Sequence, residues 1–155
     1  MIDAERAAVW IYICKNDTEP ECFARSLFGD AQHHPTKKGD LTFLLNIETG
    51  ELYGVFEVLT DIGTYQRDAW ITKRRGGFPY QIKVKPIGRI ICIRGRRVGN
   101  NKFEFSYRNI VVRIGGYCQQ LDPQTAGKLL DIFGKIIRDK FVFDIGKSNN
   151  IRFYY

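Results

Sequence analysis

The chain has 155 residues, which is the size of one ordinary domain. Its 44% hydrophobic and 26% charged residues are typical of a globular protein and exclude a disordered or collagen-like chain. No apolar run approaches the roughly 18 residues of a membrane span, and residues 1–6 are not followed by the apolar stretch of a signal peptide. We therefore expect one domain over residues 1–155 with no membrane association, in the cytoplasm or, in a eukaryote, the nucleus.

The cysteines and histidines predict neither a metal site nor a cofactor. The four cysteines are Cys14, Cys22, Cys92 and Cys118. None of them stands in the short C-x-x-C spacing of a structural zinc site. The two histidines, His33 and His34, are adjacent, and adjacent side chains of an extended stretch point to opposite sides. The pattern favours reduced, buried thiols, as expected inside a cell.

The net charge of +7 is concentrated in one stretch. Residues 73–97 contain nine basic residues and no acidic residue, so the remainder of the chain carries a net charge of −2. The nine are Lys73, Arg74, Arg75, Lys83, Lys85, Arg89, Arg94, Arg96 and Arg97. Trp70, Phe78 and Tyr80 lie among or beside them. Basic and aromatic residues in one stretch favour a nucleic-acid ligand, but a solvated edge that keeps the protein soluble remains the alternative.

The first predicted elements are a strand and a helix. Val9–Cys14 is a run of β-branched and aromatic residues that predicts a buried strand. Thr18 and Glu21 have the spacing of a capping box. They predict a helix over residues 18–28 that ends at Gly29.

The turn between these two elements consists of Lys15, Asn16 and Asp17. It stands at the electropositive start of a helix, which suits a polar or anionic ligand. The amide of Asn16 offers donors and acceptors to the edge of a base, and the carboxylate of Asp17 can accept from an exocyclic amine. Local capping of the helix is the alternative role for both side chains.

A hairpin follows a loop that contains Lys37 and Lys38. Residues 41–47 and 52–59 are apolar runs with Glu-Thr-Gly-Glu between them, and this pattern predicts two antiparallel strands. Residues 61–75 are polar, so we expect a loop with at most one short helical turn.

Residues 80–85 alternate as a strand with one open face. Ile82 and Val84 are predicted to face the core. The side chains predicted on the open face are Gln81, Lys83 and Lys85. Further strands are predicted at residues 89–93, 102–107 and 110–114.

The last long element is a helix over residues 123–140, with Asp122 as its N-cap and Pro123 as its first residue. Residues 141–143 and 151–155 are predicted as edge strands. Short strands with a few helices predict an α+β fold, with a curled β-barrel or strongly twisted sheet and two or three flanking helices.

No motif of a phosphate-binding loop, dinucleotide fold, nucleophile elbow or zinc protease is present in the sequence. Asp17, Glu19 and Glu21 cluster at the predicted start of a helix, where acidic residues usually complement the helix dipole. The sequence therefore predicts a non-catalytic binding module without a cofactor.

Several separated motifs resemble the DCD (development and cell death) domain. The resemblance begins at Ile13-Cys14-Lys15-Asn16-Asp17-Thr18, continues through "LTFLLNIETGELYGVF" at residues 41–56 and "FPYQIKV" at residues 78–84, and ends on the helix at residues 121–133. Asp30-Ala31 departs from the family, which tends to have Leu-Pro there. More loosely, the same blocks resemble the YTH and EVE domains, which belong with DCD to the PUA-like superfamily.

The looser resemblance implies a PUA-like curled barrel and, by analogy with YTH modules, a pocket for a flipped methylated base. Trp70 corresponds to the first tryptophan of the YTH cage. The other two cage positions fall at Arg74 or Arg75 and near Asp30 or Ala31, so alignment does not support a complete cage. Substitutes for the missing aromatic walls are Trp10, Tyr12, Tyr53 and Tyr80.

The leading hypothesis is a nucleic-acid reader of DNA or RNA that recognises a flipped base, such as N6-methyladenine, as the specificity module of a McrB-type restriction system. Its predicted base pocket consists of Asn16, Asp17, Trp70, Trp10, Tyr12 and Tyr80. Its predicted phosphate-binding residues are Lys15, Lys37, Lys38, Lys73, Arg74, Arg75, Lys83, Lys85, Arg89, Arg94, Arg96 and Arg97. The alternative is a protein-interaction module of DCD type in stress or defence signalling, with further domains or subunits as partners.

Overall fold

Ten strands and two helices make up the described part of the chain, which a computed structural model defines for residues 7–99, 102–105, 110–113, 118–143 and 151–154. The strands are β1 Val9–Cys14, β2 Leu27–Asp30, β3 Leu41–Asn46, β4 Glu51–Val58, β5 Tyr80–Arg94, β6 Arg96–Gly99, β7 Lys102–Phe105, β8 Ile110–Arg113, β9 Gln119–Gln120 and β10 Ile151–Tyr154. The helices are α1 Glu19–Arg25 and α2 Pro123–Phe143. Neither helix, over the residues described, has the length and apolar character needed to cross a membrane.

Seven strands form one curled sheet in the order β10-β5-β4-β3-β1-β9, with β2 paired to β5 beside this path. β1 runs parallel to β3, whereas β3 with β4 and β4 with β5 are antiparallel. The strands β6, β7 and β8 form a separate three-stranded sheet. These elements confirm the predicted α+β fold with a strongly twisted sheet and flanking helices, and they confirm the predicted hairpin of β3 and β4.

Both faces of the large sheet are buried, because successive residues of a strand point to opposite sides. On one face, Ile11 and Phe43 pack with Phe133 of α2. On the other face, Tyr12 packs in a second cluster with Trp70 from the loop that precedes β5. The sheet is therefore a central layer, and its second face carries α1, β2 and that loop.

The first helix is shorter than the capping pattern predicts. α1 ends at Arg25 because Ser26 adopts a left-handed conformation with φ of 50°, which turns the chain into β2. Leu27 and Phe28 then pair with β5, so the predicted helix over residues 18–28 is wrong in its last turn. Leu27 and Phe28 are consecutive apolar residues, and such a short run is compatible with a helix or a strand. The pairing with β5 makes it a strand.

The predicted capping box is also wrong. The hydroxyl of Thr18 makes no capping bond within the helix; it accepts from the backbone N–H of Lys15 at 3.0 Å. The carboxylate of Glu21 accepts from the backbone N–H of Trp70 at 2.7 Å and forms an ion pair with Arg25 at 3.1 Å. Both side chains therefore fasten α1 to its neighbours instead of closing its first turn.

One strand of 15 residues, β5, replaces the two strands predicted at residues 80–85 and 89–93. Its register against β4 shifts between the pairs Phe56↔Pro86 and Gly54↔Ile91. Gly88 lies within this irregularity with φ of 71°, a conformation that glycine adopts without strain. The bulge explains the misprediction, because it interrupts the alternation of the sequence without ending the strand.

The C-terminal helix begins as predicted. Asp122 accepts hydrogen bonds from the backbone N–H and the hydroxyl of Thr125, both at 2.8 Å, and these bonds hold the pKa of Asp122 below its ordinary value. The helix continues to Phe143, so the edge strand predicted at residues 141–143 is wrong. The strand predicted at residues 151–155 is present as β10 and runs parallel to β5.

Gln81 is buried, with 1% of its surface exposed, and not on the open face where alternation places it. Its side-chain oxygen accepts from the backbone N–H groups of Tyr65 and Gln66, both at 2.8 Å. Its side-chain nitrogen donates to the carbonyls of Gln66 and Phe78 at 2.9 and 3.0 Å. One amide therefore satisfies four backbone groups and holds the loop of residues 61–79 against β5.

Replacing this amide tests how far the loop depends on it. Gln81→Leu has a similar volume but leaves buried donors and acceptors of the loop without partners. We expect the free energy of unfolding to fall by about 2–5 kcal/mol, because each unsatisfied buried group costs about 1–3 kcal/mol. Urea unfolding measures the loss. Lys85→Leu, on the exposed face of the same strand and paired with Glu57 of β4, is the control, and an equal small effect of both changes would contradict the assigned role.

Tyr53 of β4 and Cys92 of β5 are cross-strand partners, and both are buried. Burial raises the pKa of the Tyr53 hydroxyl and of the Cys92 thiol well above their ordinary values, with nearby carboxylates adding to the effect. The hydroxyl of Tyr53 donates to Glu51 at 3.1 Å, and the thiol of Cys92 approaches the same oxygen at 3.6 Å. Folding therefore keeps both groups neutral at alkaline pH.

We expect stability to fall as the pH rises above about 9. The unfolded chain ionises Cys92 and Tyr53 at their ordinary pKa values of about 8.5 and 10, so above them it binds fewer protons than the folded chain, and the slope of stability against pH is negative. Each group contributes up to about 1.4 kcal/mol per pH unit. Urea unfolding from pH 8 to pH 10.5 measures this slope. Tyr53→Phe, which has no hydroxyl to ionise, should show a shallower slope, and an unchanged slope would contradict the explanation.

Candidate binding cleft

A cleft of about 490 Å³ opens where four parts of the fold meet. They are the C-terminal end of β1 with the turn that follows it, the C-terminal end of β2, the turn after β3, and the loop before β5. The residues that line the cleft are Ile13, Cys14, Lys15, Asp17, Thr18, Gly29, Asp30, Ala31, Gln32, Ile47, Lys73, Arg74 and Phe78. The strand-to-helix turn and the basic loop thus share one rim.

Three cations line the cleft. Arg74 is held in place, because its Nε donates to the carbonyl of Gly77 at 3.1 Å and its guanidinium lies 4.9 Å from the centre of the Phe78 ring. Lys15 and Lys73 make no ion pair with any described residue. The rim therefore presents two lysines without an ion-pair partner among the described residues.

Acidic and apolar groups complete the cleft. Asp17 lies on the exposed rim, whereas Asp30 is buried, with 6% of its surface exposed. Ile13, Ile47 and Phe78 supply apolar wall. Cations beside apolar side chains suit a ligand that carries both negative charge and aliphatic or aromatic groups.

Trp70 lies behind the cleft and not in it. The residue has 0% of its surface exposed, and its indole N–H donates to the carbonyl of Thr18 at 3.0 Å. Its ring packs edge-on against Phe78, with centroids 5.0 Å apart. The expectation that this ring stacks on a base is therefore corrected, because in this structure it is a core residue with both its polar groups satisfied.

Gly29 makes the close packing behind the cleft possible. A Cβ atom at this position would lie 2.8 Å from the Cβ of Phe78 and 3.1 Å from the indole of Trp70. The glycine sits inside β2 and does not end the helix, so its role is the close approach of the loop to the strand.

The burial of Trp70 gives a direct test. We expect Trp70→Ala to lower the free energy of unfolding by about 3–5 kcal/mol, because it leaves a large cavity in the second core. Urea unfolding measures the change. Ile71→Ala, on a neighbouring side chain that is 49% exposed, is the control and should stay within about 0.5 kcal/mol. A Trp70→Ala protein as stable as the control would show that the ring is not part of the core.

Apart from Asp17, the other predicted base-pocket residues do not line the cleft. Asn16 accepts from the amide of the buried Asn46 at 3.0 Å, which ties the turn to the β3–β4 hairpin. Trp10 is buried, and its indole N–H donates to Asp40 at 2.9 Å. Only Asp17 of the predicted set stands at the rim.

Three further aromatic candidates are engaged elsewhere. Tyr12 is fully buried and hydrogen-bonds to Thr36 at 2.8 Å. Tyr53 is buried and packs edge-on against Phe23. Tyr80 packs edge-on against His33, with centroids 5.3 Å apart. No aromatic cage forms among the described residues, and Phe78 is the one aromatic residue among those that line the cleft.

Much of the basic stretch is engaged by neighbouring groups. Three cations pair with carboxylates: Lys85 with Glu57 at 3.7 Å, Arg94 with Glu51 at 3.6 Å and Arg96 with Glu104 at 3.2 Å. Arg97 donates to the carbonyl of Ile47 at 2.9 Å and Lys83 lies over the ring of Tyr65. The predicted phosphate-binding residues outside the cleft lining are Lys37, Lys38, Arg75, Lys83, Lys85, Arg89, Arg94, Arg96 and Arg97. The charge is therefore divided between the cleft and several separate contacts.

Sequence comparison places this architecture in a known family. The profile of the development and cell death domain matches residues 8–133, which include β1, β2, the β3–β4 hairpin and the lining of the cleft. The chain belongs to the development and cell death (DCD) domain family. The resemblance stated from the motifs is thereby confirmed. The descriptions of this family and of the similar proteins name no catalytic activity.

The similar proteins come from plants. The DCD domain described here is 31% identical over 140 residues to the B2 protein of Daucus carota, with 83% of this chain and 63% of that protein covered. It is 32% identical to two DCD domain-containing proteins of Glycine max, NRP-B and NRP-A, and the matches cover 81% and 80% of this chain. They cover only 39% and 34% of those two proteins, so the relatives contain long regions that this chain does not match.

Proposed function

We propose that this DCD domain is a non-catalytic binding module whose cleft receives an acidic, partly apolar stretch of a protein partner. The observation that carries the proposal is the rim of Lys15, Lys73 and Arg74, which combines positive charge with the apolar wall of Ile13 and Ile47. A carboxylate of the partner would meet the cations, and an adjacent aliphatic side chain would enter the cleft.

Arg74 is the best-placed recognition group. Its contacts with Gly77 and Phe78 fix the guanidinium before a ligand arrives, so little side-chain entropy is lost on binding. A planar guanidinium also suits two parallel hydrogen bonds to a carboxylate. Family membership supports a role inside a larger protein, because similar proteins are considerably longer than the matched region.

A nucleic-acid ligand is the second candidate, and the high basic charge of residues 73–97 favours it. Two features count against it. Lys85, Arg94 and Arg96 are paired with carboxylates, and Trp70 is buried and does not offer its ring to a base. Recognition of a methylated base has no aromatic cage among the described residues to support it.

Fluorescence anisotropy with defined probes tests the proposal. The probes are peptides in which Asp or Glu alternates with Leu or Val, the same peptides with Lys in place of the acids, and single- and double-stranded oligonucleotides with and without methylated adenine. We expect saturable binding of the acidic peptides alone. Lys15→Glu/Lys73→Glu should weaken that binding about tenfold or more, because it reverses two charges at the rim.

The matched control is Lys37→Glu/Lys38→Glu, which changes the net charge equally on a loop outside the cleft. It should leave the affinity within about twofold of the parent value. An equal loss in both double variants would mean that the peptides respond to overall charge only. Oligonucleotide binding that falls log-linearly with salt, without peptide binding, would instead favour the nucleic-acid candidate.

A further inference from the structure

The fold brings together three potential metal ligands that are far apart in the sequence. The carboxylate of Asp30, the imidazole of His34 and the thiol of Cys118 place their ligand atoms within 4.8 Å of one another. The Oδ2 of Asp30 lies 3.1 Å from the Nε2 of His34. Cys118 precedes β9, which pairs with β1, and β2 ends at Asp30, so sheet geometry creates the cluster.

Asp30 and Cys118 are buried, His34 is half-buried, and their surroundings orient these side chains. Asp30 and Cys118 expose 6% and 3% of their surfaces. The backbone N–H of Cys118 donates to the Oδ2 of Asp30 at 2.8 Å, which fixes the carboxylate. The ring of Trp10 lies edge-on to His34, with centroids 6.2 Å apart. Contacts of this kind, made by neighbouring groups to the ligand side chains, orient metal ligands around a bound ion.

The chemistry of the three groups matches one class of ion. Zinc takes thiolate, imidazole and carboxylate ligands at about 2.0–2.3 Å, so its ligand atoms lie roughly 3.3–3.6 Å apart in a tetrahedral site. The separation of 3.1 Å between Asp30 and His34 is close to these values. Since all three ligand atoms lie within 4.8 Å of one another, side-chain adjustments of about an ångström would complete the site. A hard ion such as Mg²⁺ prefers oxygen ligands alone, so the thiol and imidazole disfavour it.

We propose that Asp30, His34 and Cys118 form a binding site for Zn²⁺ or a similar divalent transition-metal ion. Cys118 binds as a thiolate and releases its proton to solvent, and His34 binds through Nε2 with its remaining proton on Nδ1. Asp30 binds through a carboxylate oxygen. Water supplies the fourth ligand, since Asp30 also lines the cleft and is reachable from it. The role is to tie the loop after β2 and the approach to β9 together.

Zinc and cobalt titrations of the chelator-treated, reduced protein test the site. We expect one Zn²⁺ per chain, with the melting temperature raised by roughly 5–10 °C at a zinc concentration of about 100 times the Kd. Co²⁺ should give the visible bands of a tetrahedral complex and a sulfur-to-cobalt charge-transfer band. Cys118→Ser should abolish the charge-transfer band, and His34→Ala should weaken zinc binding by about 100-fold or more.

Two controls separate this site from incidental metal binding. His33→Ala removes the adjacent histidine, which faces Tyr80 and lies outside the cluster, and it should leave the zinc affinity unchanged. Cys92→Ala removes another buried thiol and should keep the charge-transfer band. Circular dichroism of each variant confirms folding, and His34→Ala decides the question if Cys118→Ser does not fold.

The opposite results would overturn the proposal. Absence of saturable Zn²⁺ binding and of a thermal shift would mean that the three residues form only a hydrogen-bonded network. Binding that persists unchanged in His34→Ala, or that falls equally in His33→Ala, would place the metal elsewhere. The peptide-binding proposal is independent of these outcomes, because its test uses rim variants and needs no metal.

Discussion

The indole of Trp70 fixes the loop that carries the basic rim of the cleft. Its side chain donates to the carbonyl of Thr18, its backbone N–H donates to Glu21, and its backbone adopts φ of 61° to meet both partners. Non-glycine residues rarely adopt this conformation, and they keep it where the surrounding contacts stabilise it. Since Lys73 and Arg74 follow directly, the positive charge at the rim depends on this anchor.

The same anchor links the second core to the cleft. Phe78 contacts Trp70 on its inner side and Arg74 on its outer side. Phe78 and Trp70 can pack against β2 because position 29 is a glycine; any side chain there would collide with both side chains. Core packing and charge presentation are therefore parts of one structure, and a destabilising change in the core is expected to disturb the cleft as well.

The sequence predicts elements well where local signals and packing agree. β1, the β3–β4 hairpin and the start of α2 follow from alternation, turn residues and the Asp122 cap. It fails where one side chain acts over a long distance. The alternation of β5 predicts an exposed side chain for Gln81. The side chain is buried instead, because it hydrogen-bonds to four backbone groups of the loop before β5. Trp70 stands in a polar stretch, which favours an exposed ring that stacks on a base. The local sequence does not show that its indole N–H donates to the carbonyl of Thr18.

The sequence predicts part of the cleft lining but not its full composition. Lys15, Asp17, Lys73 and Arg74 are predicted ligand contacts that line the cleft, whereas Ile47 and Gln32 join the lining only through the three-dimensional path of the hairpin and of β2. The cluster around Asp30 has the same origin, because Cys118 is brought to it by the pairing of β9 with β1. Spacing rules for metal ligands apply to residues that are close in the sequence, so they do not detect residues that only the fold brings together.

The pairing of β10 with residues 90–93 of β5 also bears on how the protein is made. The ribosome synthesises β5 well before it reaches residue 154. The edge of β5 that pairs with β10 therefore has no partner strand while the intervening chain is made. An uncovered apolar edge invites association between molecules. Arg89 and Arg94 stand directly beside the paired residues, and charges in such places act as gatekeepers that keep unfinished chains apart.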